Sequence, residues 1–253
     1  MKIQYTSDLH LEFPANEKFL LANPLIPVGE ILILAGDIVP FRFIERFSWF
    51  FDSISENFKT VYWIAGNHEY YGEDASEKEG EFHIAIRENV FLVNNFSLVL
   101  ENTKLIFSTL WTRISPQQAY FIKNGLNDFF QIRYGEKLLT VENFNAFFEE
   151  NLKFIQREVS ENTSKKCIVV THHVPTYQHY PQEYLNSNIN EAFAVDLDSF
   201  ILDSKIDTWI YGHHHRNVPP FQIGQTTLVT NQLGYVQSKE HLEFQRDCLI
   251  SID

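Results

Sequence analysis

Only two cysteines occur in the chain, Cys167 and Cys248. A disulfide framework is excluded, and so is a cysteine metal site, which needs clustered thiols. Cys167 lies in the apolar run Cys167-Ile168-Val169-Val170 and reads as a buried thiol. No apolar run is long enough to span a membrane. The first motif arrives at Asp8, which leaves no room for a cleavable signal ahead of it. A reducing cytoplasm is the expected location, without a membrane partner. Positive charge is also scarce: 20 Lys and Arg face 33 Asp and Glu, for a net charge of −13 at pH 7. A protein that holds a long polyanion carries a basic stripe to neutralise phosphates. Lys165-Lys166 is too short for one, so no long nucleic acid is expected as a partner.

Apolar side chains, by contrast, are plentiful. Hydrophobic residues make up 44% of the 253, and aromatics 15%. That suffices for a sizeable core, and a single α/β domain of this length is ordinary. Charged residues are 21%, with no low-complexity tract, which excludes global disorder.

Residues 2–6 alternate as a strand and run into Ser7-Asp8-Leu9-His10. Residues 30–35 form a buried strand that ends in Gly36-Asp37. Phe43, Phe47, Phe50, Ile54 and Phe58 recur at helical spacing and predict a helix from about residue 43. Val61 to Ala65 is β-branched and aromatic, a third strand, broken by Gly66 and followed by Asn67-His68-Glu69. The acidic run Glu73 to Glu81 predicts a solvated turn leading into a helix. Short strands are expected at 91–93, 97–100 and 104–108, joined by asparagine turns. The pattern then turns helical. Val141, Phe144, Phe148, Leu152, Ile155 and Val159 share one face, with Thr140 as N-cap. Residues of about 112–165 are expected as a helical insertion covering the core of a single domain, 1–253. Strands return at 166–171, ending in His172-His173, and at 208–211, ending in Gly212-His213-His214-His215. A helix is expected over about 191–204, with closing strands at 218–223 and 226–229. Strand–helix–strand alternation implies parallel sheet with right-handed crossovers, and ligands bind at the carboxyl ends of such strands.

Five strand ends thus carry Asp8 and His10, Asp37, Asn67 and His68, His172, and His213 and His215. A lone Asp-x-His after a strand is more often a turn. Fold stability alone does not call for carboxylates and imidazoles at every one of these ends. Metal binding does: oxygen and imidazole donors suit divalent transition ions, and one carboxylate can bridge two of them. Alternation along an extended segment turns His173 and His214 away from their neighbours. His83, His179 and His241 read as ordinary histidines of the surface or partly buried shell.

In these blocks the chain resembles the calcineurin-like metallophosphoesterases. Their signature runs Asp-x-His, Gly-Asp, Gly-Asn-His-Asp/Glu, a lone His, then Gly-His-x-His, and all five blocks are present in order. The resemblance implies a four-layer αββα sandwich, two mixed β-sheets flanked by helices. It implies two divalent metal ions, with Mn, Fe, Zn or Ni all fitting the donor set. One takes Asp8, His10, Asp37 and His215. The other takes Asp37, Asn67, His213 and either His172 or His173, of which His172 is favoured. His68 contacts the reacting phosphoryl group or its leaving oxygen, and Glu69 is expected to orient His68.

The implied chemistry is direct hydrolysis of a small phosphomonoester or phosphodiester. Two cations roughly 3.5–4 Å apart share a water and make it hydroxide near neutral pH. Alternatives are a nuclease or nucleotide phosphodiesterase of the same family, and a non-catalytic metal-binding scaffold. A scaffold usually lacks a ligand or the catalytic histidine, and neither is missing here. Arg113, Arg133 and Tyr134 are candidates to meet a phosphate or base. Phe13, Tyr70, Tyr71 and Tyr177 lie beside the motifs as candidate stacking residues, and Asn231 and Tyr235 lie in the closing loop.

Overall fold

Runs of four or five apolar residues are too short for helices and are buried on both faces as parallel strands. In the computed structural model, which describes residues 2–252, such runs build two six-stranded sheets. The strands are β1 (Lys2–Thr6), β2 (Ile31–Ala35), β3 (Thr60–Ile64), β4 (Phe82–Arg87), β5 (Val90–Asn94), β6 (Phe96–Leu100), β7 (Thr103–Phe107), the small hairpin β8 (Arg133–Tyr134) and β9 (Lys137–Leu138), β10 (Lys166–Val170), β11 (Thr208–Ile210), β12 (Phe221–Ile223), β13 (Thr226–Val229) and β14 (Leu249–Ser251). The helices are α1 (Pro14–Ala22), α2 (Ser48–Asn57), α3 (Ala119–Gly125), α4 (Asp128–Gln131), α5 (Val141–Ser160) and α6 (Asp198–Asp203).

The first sheet runs β14-β1-β2-β3-β5-β4 and the second β12-β13-β11-β10-β7-β6. In each, four parallel strands stand between two antiparallel edge strands. Side chains of a strand alternate between faces, and here the two faces feed different cores. Ile31, Ile33 and Ala35 of β2 join the layer between the sheets, with Tyr62, Phe107, Ile168 and Ile210. Leu32 and Leu34 point outwards under the helices, with Phe47, Phe51 and Trp63. The Tyr62 and Phe107 rings meet across the sheets, 5.1 Å apart. This is the αββα sandwich, with helices outside both sheets. Among the described residues no helix is long and apolar enough to cross a membrane.

Three expectations are corrected. The acidic run does not lead into a helix: a 3-10 turn at Ala75–Glu77 is followed by β4, whose alternating Phe82, Ile84 and Ile86 make it a half-exposed edge of the first sheet. The helix expected over 191–204 is reduced to α6, because the chain runs extended where Ala194 bridges Val174. The helix expected from residue 43 begins at Ser48, after two 3-10 turns. The elements α1 and β14 and the β8–β9 hairpin correspond to no element expected from the sequence. The segment 112–165 holds α3, α4, the hairpin and the long α5.

Candidate metal centre and active site

The carboxyl ends of β1, β2, β3, β10 and β11 open onto one crevice. The backbone there is bent out of ordinary conformations. Asp8, His10, Asp37, His213 and His215 all have positive φ, between 45° and 82°. Non-glycine residues adopt this region at a cost, and such residues cluster at functional sites. The left-handed turn lifts each side chain off the strand direction and aims it into the crevice. Close approach also demands Gly66 and Gly212. A Cβ on Gly66 would fall on Asp37 Oδ1 and the His172 ring, and one on Gly212 would fall on Asp8 Oδ2 and the Ser7 hydroxyl.

The motif residues form two clusters, Asp8, His10, Asp37 and His215 in one, and Asp37, His172 and His213 in the other, and a third group of donors, His10, Glu12 and His68, adjoins the first. In the first, His10 Nε2 lies 2.9 Å from His215 Nε2 and 3.6 Å from Asp37 Oδ2, and His215 Nε2 lies 3.4 Å from Asp8 Oδ1. In the second, His172 Nε2 lies 3.0 Å from His213 Nδ1 and 3.4 Å from Asp37 Oδ1. Donors held about 2.0–2.1 Å from one ion at right-angled to tetrahedral openings stand about 2.9–3.4 Å apart, close to the spacing found. Asn67 supplies a further test. Its amide nitrogen donates to Asp128 Oδ1 (2.8 Å), while its oxygen is buried without a hydrogen-bond partner. Buried polar atoms rarely stay unpaired, and a neutral oxygen aimed at a cation would satisfy it. The donor set therefore fits two divalent ions.

The outer nitrogens are fixed as metal-binding histidines require. His172 Nδ1 lies 3.0 Å from the Ala35 carbonyl, His215 Nδ1 2.9 Å from Glu240, and His10 Nδ1 3.3 Å from Glu12. Each leaves its other ring nitrogen for the cluster. Burial opposes charge on His172, but Asp37 outweighs it and lifts the imidazole to about 9. Burial likewise opposes charge on His215, and hydrogen bonds to Asp8 and Glu240 raise it to about 10. His10 and His213 go the other way, burial holding both below the ordinary imidazole value. His173 is fully buried in neither cluster, its ring 5.3 Å from Trp111, and burial pushes it down to about 3. Between His172 and His173, the geometry places His172 with Asp37.

The family pattern for calcineurin-like phosphoesterases matches residues 1–217. The chain belongs to this family. An uncharacterized protein of Acanthamoeba polyphaga mimivirus is 32% identical over 277 residues, spanning 99% of this chain and 96% of its own length. Among solved structures, phosphopantetheinyl hydrolase from Mycobacterium tuberculosis superposes with a TM-score of 0.72 at 15% identity, over 100% of this chain and 96% of that one. A dimetal phosphatase from Danio rerio gives 0.51 at 11% identity, over 97% and 89%. At these identities the likeness to the solved structures is one of fold. As a metallophosphoesterase the chain is a metal-dependent phosphoric ester hydrolase.

In this phosphoesterase His68 sits beside both clusters, its backbone N–H donating to Asp37 Oδ1 (2.9 Å). Its ring stacks on Tyr71 at 4.1 Å between centroids. The partner of His68 is not Glu69, and that expectation is corrected. Glu69 is fully buried and turned the other way. Its carboxylate accepts the backbone N–H groups of Asp37 (2.9 Å), Ile38 (2.7 Å) and Gly66 (2.7 Å), and the Trp63 indole N–H (3.1 Å). It ties the β2 and β3 loops together. The partner of His68 Nδ1 is Glu12, at 3.0 Å. Hydrogen bonds to His10 and His68 overcome burial and hold Glu12 down at about 2.

Glu12, Asp128 and Glu240 escaped the sequence reading. Glu12 carried a usable signal, since it lies two residues beyond His10 on an Asp-x-His-x-Glu spacing. Asp128 and Glu240 come from distant turns and carry none. A cavity of about 310 Å³ opens beside the clusters, and Tyr71 and Tyr235 line it. Phe13 packs edge-on to Tyr235, 5.1 Å away. Arg113, Arg133, Tyr134, Tyr70 and Tyr177 do not line this cavity. Arg113 pairs with Glu149 at the surface, Tyr134 with Glu79, and Tyr70 is core. Asn231 serves the fold by bracing Tyr5 and Gln245.

Proposed function

We propose that this phosphoesterase hydrolyses a small phosphomonoester or phosphodiester by direct attack of water, without a phosphoenzyme. The observation that carries this reading is Asp37. Its two carboxylate oxygens face opposite clusters, Oδ2 towards His10 and Oδ1 towards His172, so one side chain serves both. Asp8, His10, Asp37 and His215 would hold one divalent ion, and Asp37, Asn67, His172 and His213 the other. Such ions supply Lewis acidity and an acidified water.

The chain's own residues do the rest. Asp37 fixes the spacing of the two clusters. Glu12 anchors His68 through Nδ1, which leaves Nε2 on the cavity side, 3.5 Å from the Tyr235 hydroxyl. From there it reaches a phosphoryl oxygen or the departing alkoxide. Tyr71 holds the His68 ring flat against it. Glu69 keeps the two loops that carry Asp37 and Asn67 in register.

The test is metal reconstitution followed by assay with a nitrophenyl phosphate and a bis(nitrophenyl) phosphate. We expect two metal equivalents per chain and turnover of at least one ester. Failure on both, with both sites filled, would leave a metal-binding scaffold. Asp37→Asn should be the most damaging ligand change, with metal content falling below two equivalents by elemental analysis. Retention of two equivalents and near-native turnover would refute the shared-carboxylate reading.

A further inference from the structure

One stretch of chain supplies most of the apolar wall of the cavity beyond the metal ligands, with Tyr71, Leu126 and Tyr235 joining it from elsewhere. Tyr180, Tyr184, Ile189 and Phe193 line it, between β10 and α6. Phe193 lies flat on the His213 ring, 4.5 Å between centroids and 22° from parallel. The wall is therefore continuous with the metal site. Among the described residues, no lysine or arginine lines this cavity. Arg216 is the nearby cation on the Gly-His-x-His loop, and it is turned away. Its guanidinium bonds Glu183 (2.8 Å) and lies 5.7 Å from the Tyr184 ring centre, outside the lining. Glu240 also lines the cavity, its carboxylate committed to His215 Nδ1 (2.9 Å) and to the Tyr235 backbone N–H (2.6 Å).

Resting on the phosphoesterase reading above, we infer that this wall selects a phosphoester with a single phosphate whose esterified group is an uncharged, flat ring. The phosphate's charge is answered only at the strand ends. A second anionic group on the substrate would reach into the wall, where no lysine or arginine answers it, in a chain of net charge −13. Desolvating an unpaired anion there is costly. Aromatic faces gain from a neutral ring, in edge-on or offset contact. At about 310 Å³ the cavity is at the small end of ligand sites, sized for a phosphate and one ring-bearing group. Asn127 and Ser187, both exposed at the same cavity, offer an amide and a hydroxyl to polar atoms on the ring's edge.

The test uses three non-hydrolysable probes on manganese-loaded protein: methylphosphonate, phenylphosphonate and 4-carboxyphenylphosphonate. Binding is read by calorimetry, independent of turnover. Phenylphosphonate should bind at least about 10-fold tighter than methylphosphonate, from ring stacking and apolar burial. The carboxylated ring should lose about 10-fold or more against phenyl. Tyr184→Ala should shrink the phenyl-to-methyl ratio to about 3-fold or less. Ile189→Arg, which adds a cation to the wall, should bring the carboxylated probe level with phenyl. Equal binding of phenyl and methyl, or native protein that takes the carboxylated ring as tightly as phenyl, overturns the inference. Turnover of the nitrophenyl esters reports separately on the phosphoesterase reading. Selective binding without hydrolysis would keep the wall and remove the enzyme, and hydrolysis without selectivity would do the reverse.

Discussion

His68 and Glu69 are residues of the signature that neither cluster claims, and the contact of His68 with Glu12 makes its role testable. A general acid contributes about 10²–10⁴-fold, and most when the leaving group is a strong base. His68→Ala should therefore cost far more rate on an alkyl phosphoester than on a nitrophenyl one, with metal content unchanged. A residue that only stabilises phosphoryl charge would cost both equally. The ratio of the two losses under saturating metal decides. Glu69 belongs to a different kind of residue. Four N–H groups converge on its carboxylate, and Glu69→Gln places an amide N–H₂ against them. Leaving such buried donors unmet should destabilise the fold by about 1–3 kcal/mol, seen as a lower denaturant midpoint. A midpoint shift below about 0.5 kcal/mol would mean that the clamp is dispensable. Both roles show where sequence reading stops. Asp8, His10, Asp37 and the histidines are legible because each follows its own strand within a few residues. Glu12 was legible only as a spacing, two residues beyond His10, and Asp128 and Glu240 not at all, because which carboxylate meets which site residue is decided by how distant segments fold over the crevice.

Among the elements, α5 is the most legible, since its apolar face repeats over twenty residues. Its N-terminus is closed by a reciprocal pair: the Thr140 hydroxyl accepts Asn143 N–H, and the Asn143 side-chain oxygen accepts Thr140 N–H, each at 3.2 Å. Thr140→Ala should cost about 0.5–2 kcal/mol. Because none of the cap's hydrogen bonds reaches a metal ligand, metal content should hold at two, and a drop would show that α5 braces the crevice. The misread elements share a cause. β4 is an edge strand behind an acidic run, so half of its residues face water and its apolar signal is weak. Charge on an edge also guards against sheet-to-sheet pairing, which is a reason for β4 to look unlike a core strand. α6 is short because the preceding residues are taken by the Val174–Ala194 bridge, a long-range contact without a local mark.

For the whole molecule, the apolar layers are built of side chains that bind no ion, so metal removal should abolish activity but leave the fold. Far-UV circular dichroism of chelated protein should match the native spectrum. Its melting temperature should fall, since a ligand at a hundred times its dissociation constant adds about 2.7 kcal/mol. Excess Mn²⁺ should restore both activity and melting point. Activity that survives in metal-free protein, or collapse of the spectrum on chelation, would contradict this picture. The sandwich was legible because its strands are short apolar runs punctuated by motifs. The shape of the cavity was not, because Tyr180, Tyr184, Ile189 and Phe193 follow no period. That division of labour along the chain has an evolutionary side. The ligands leave from the ends of core strands, which cannot move without disturbing both sheets. Tyr180, Tyr184, Ile189 and Phe193 ride on one crossover, closed by α6. Substitution or insertion elsewhere in that crossover spares the ion-holding frame, whereas Phe193, flat on the His213 ring, is tied to it, so descendants of one ancestor can diverge in diet without relearning how to cut.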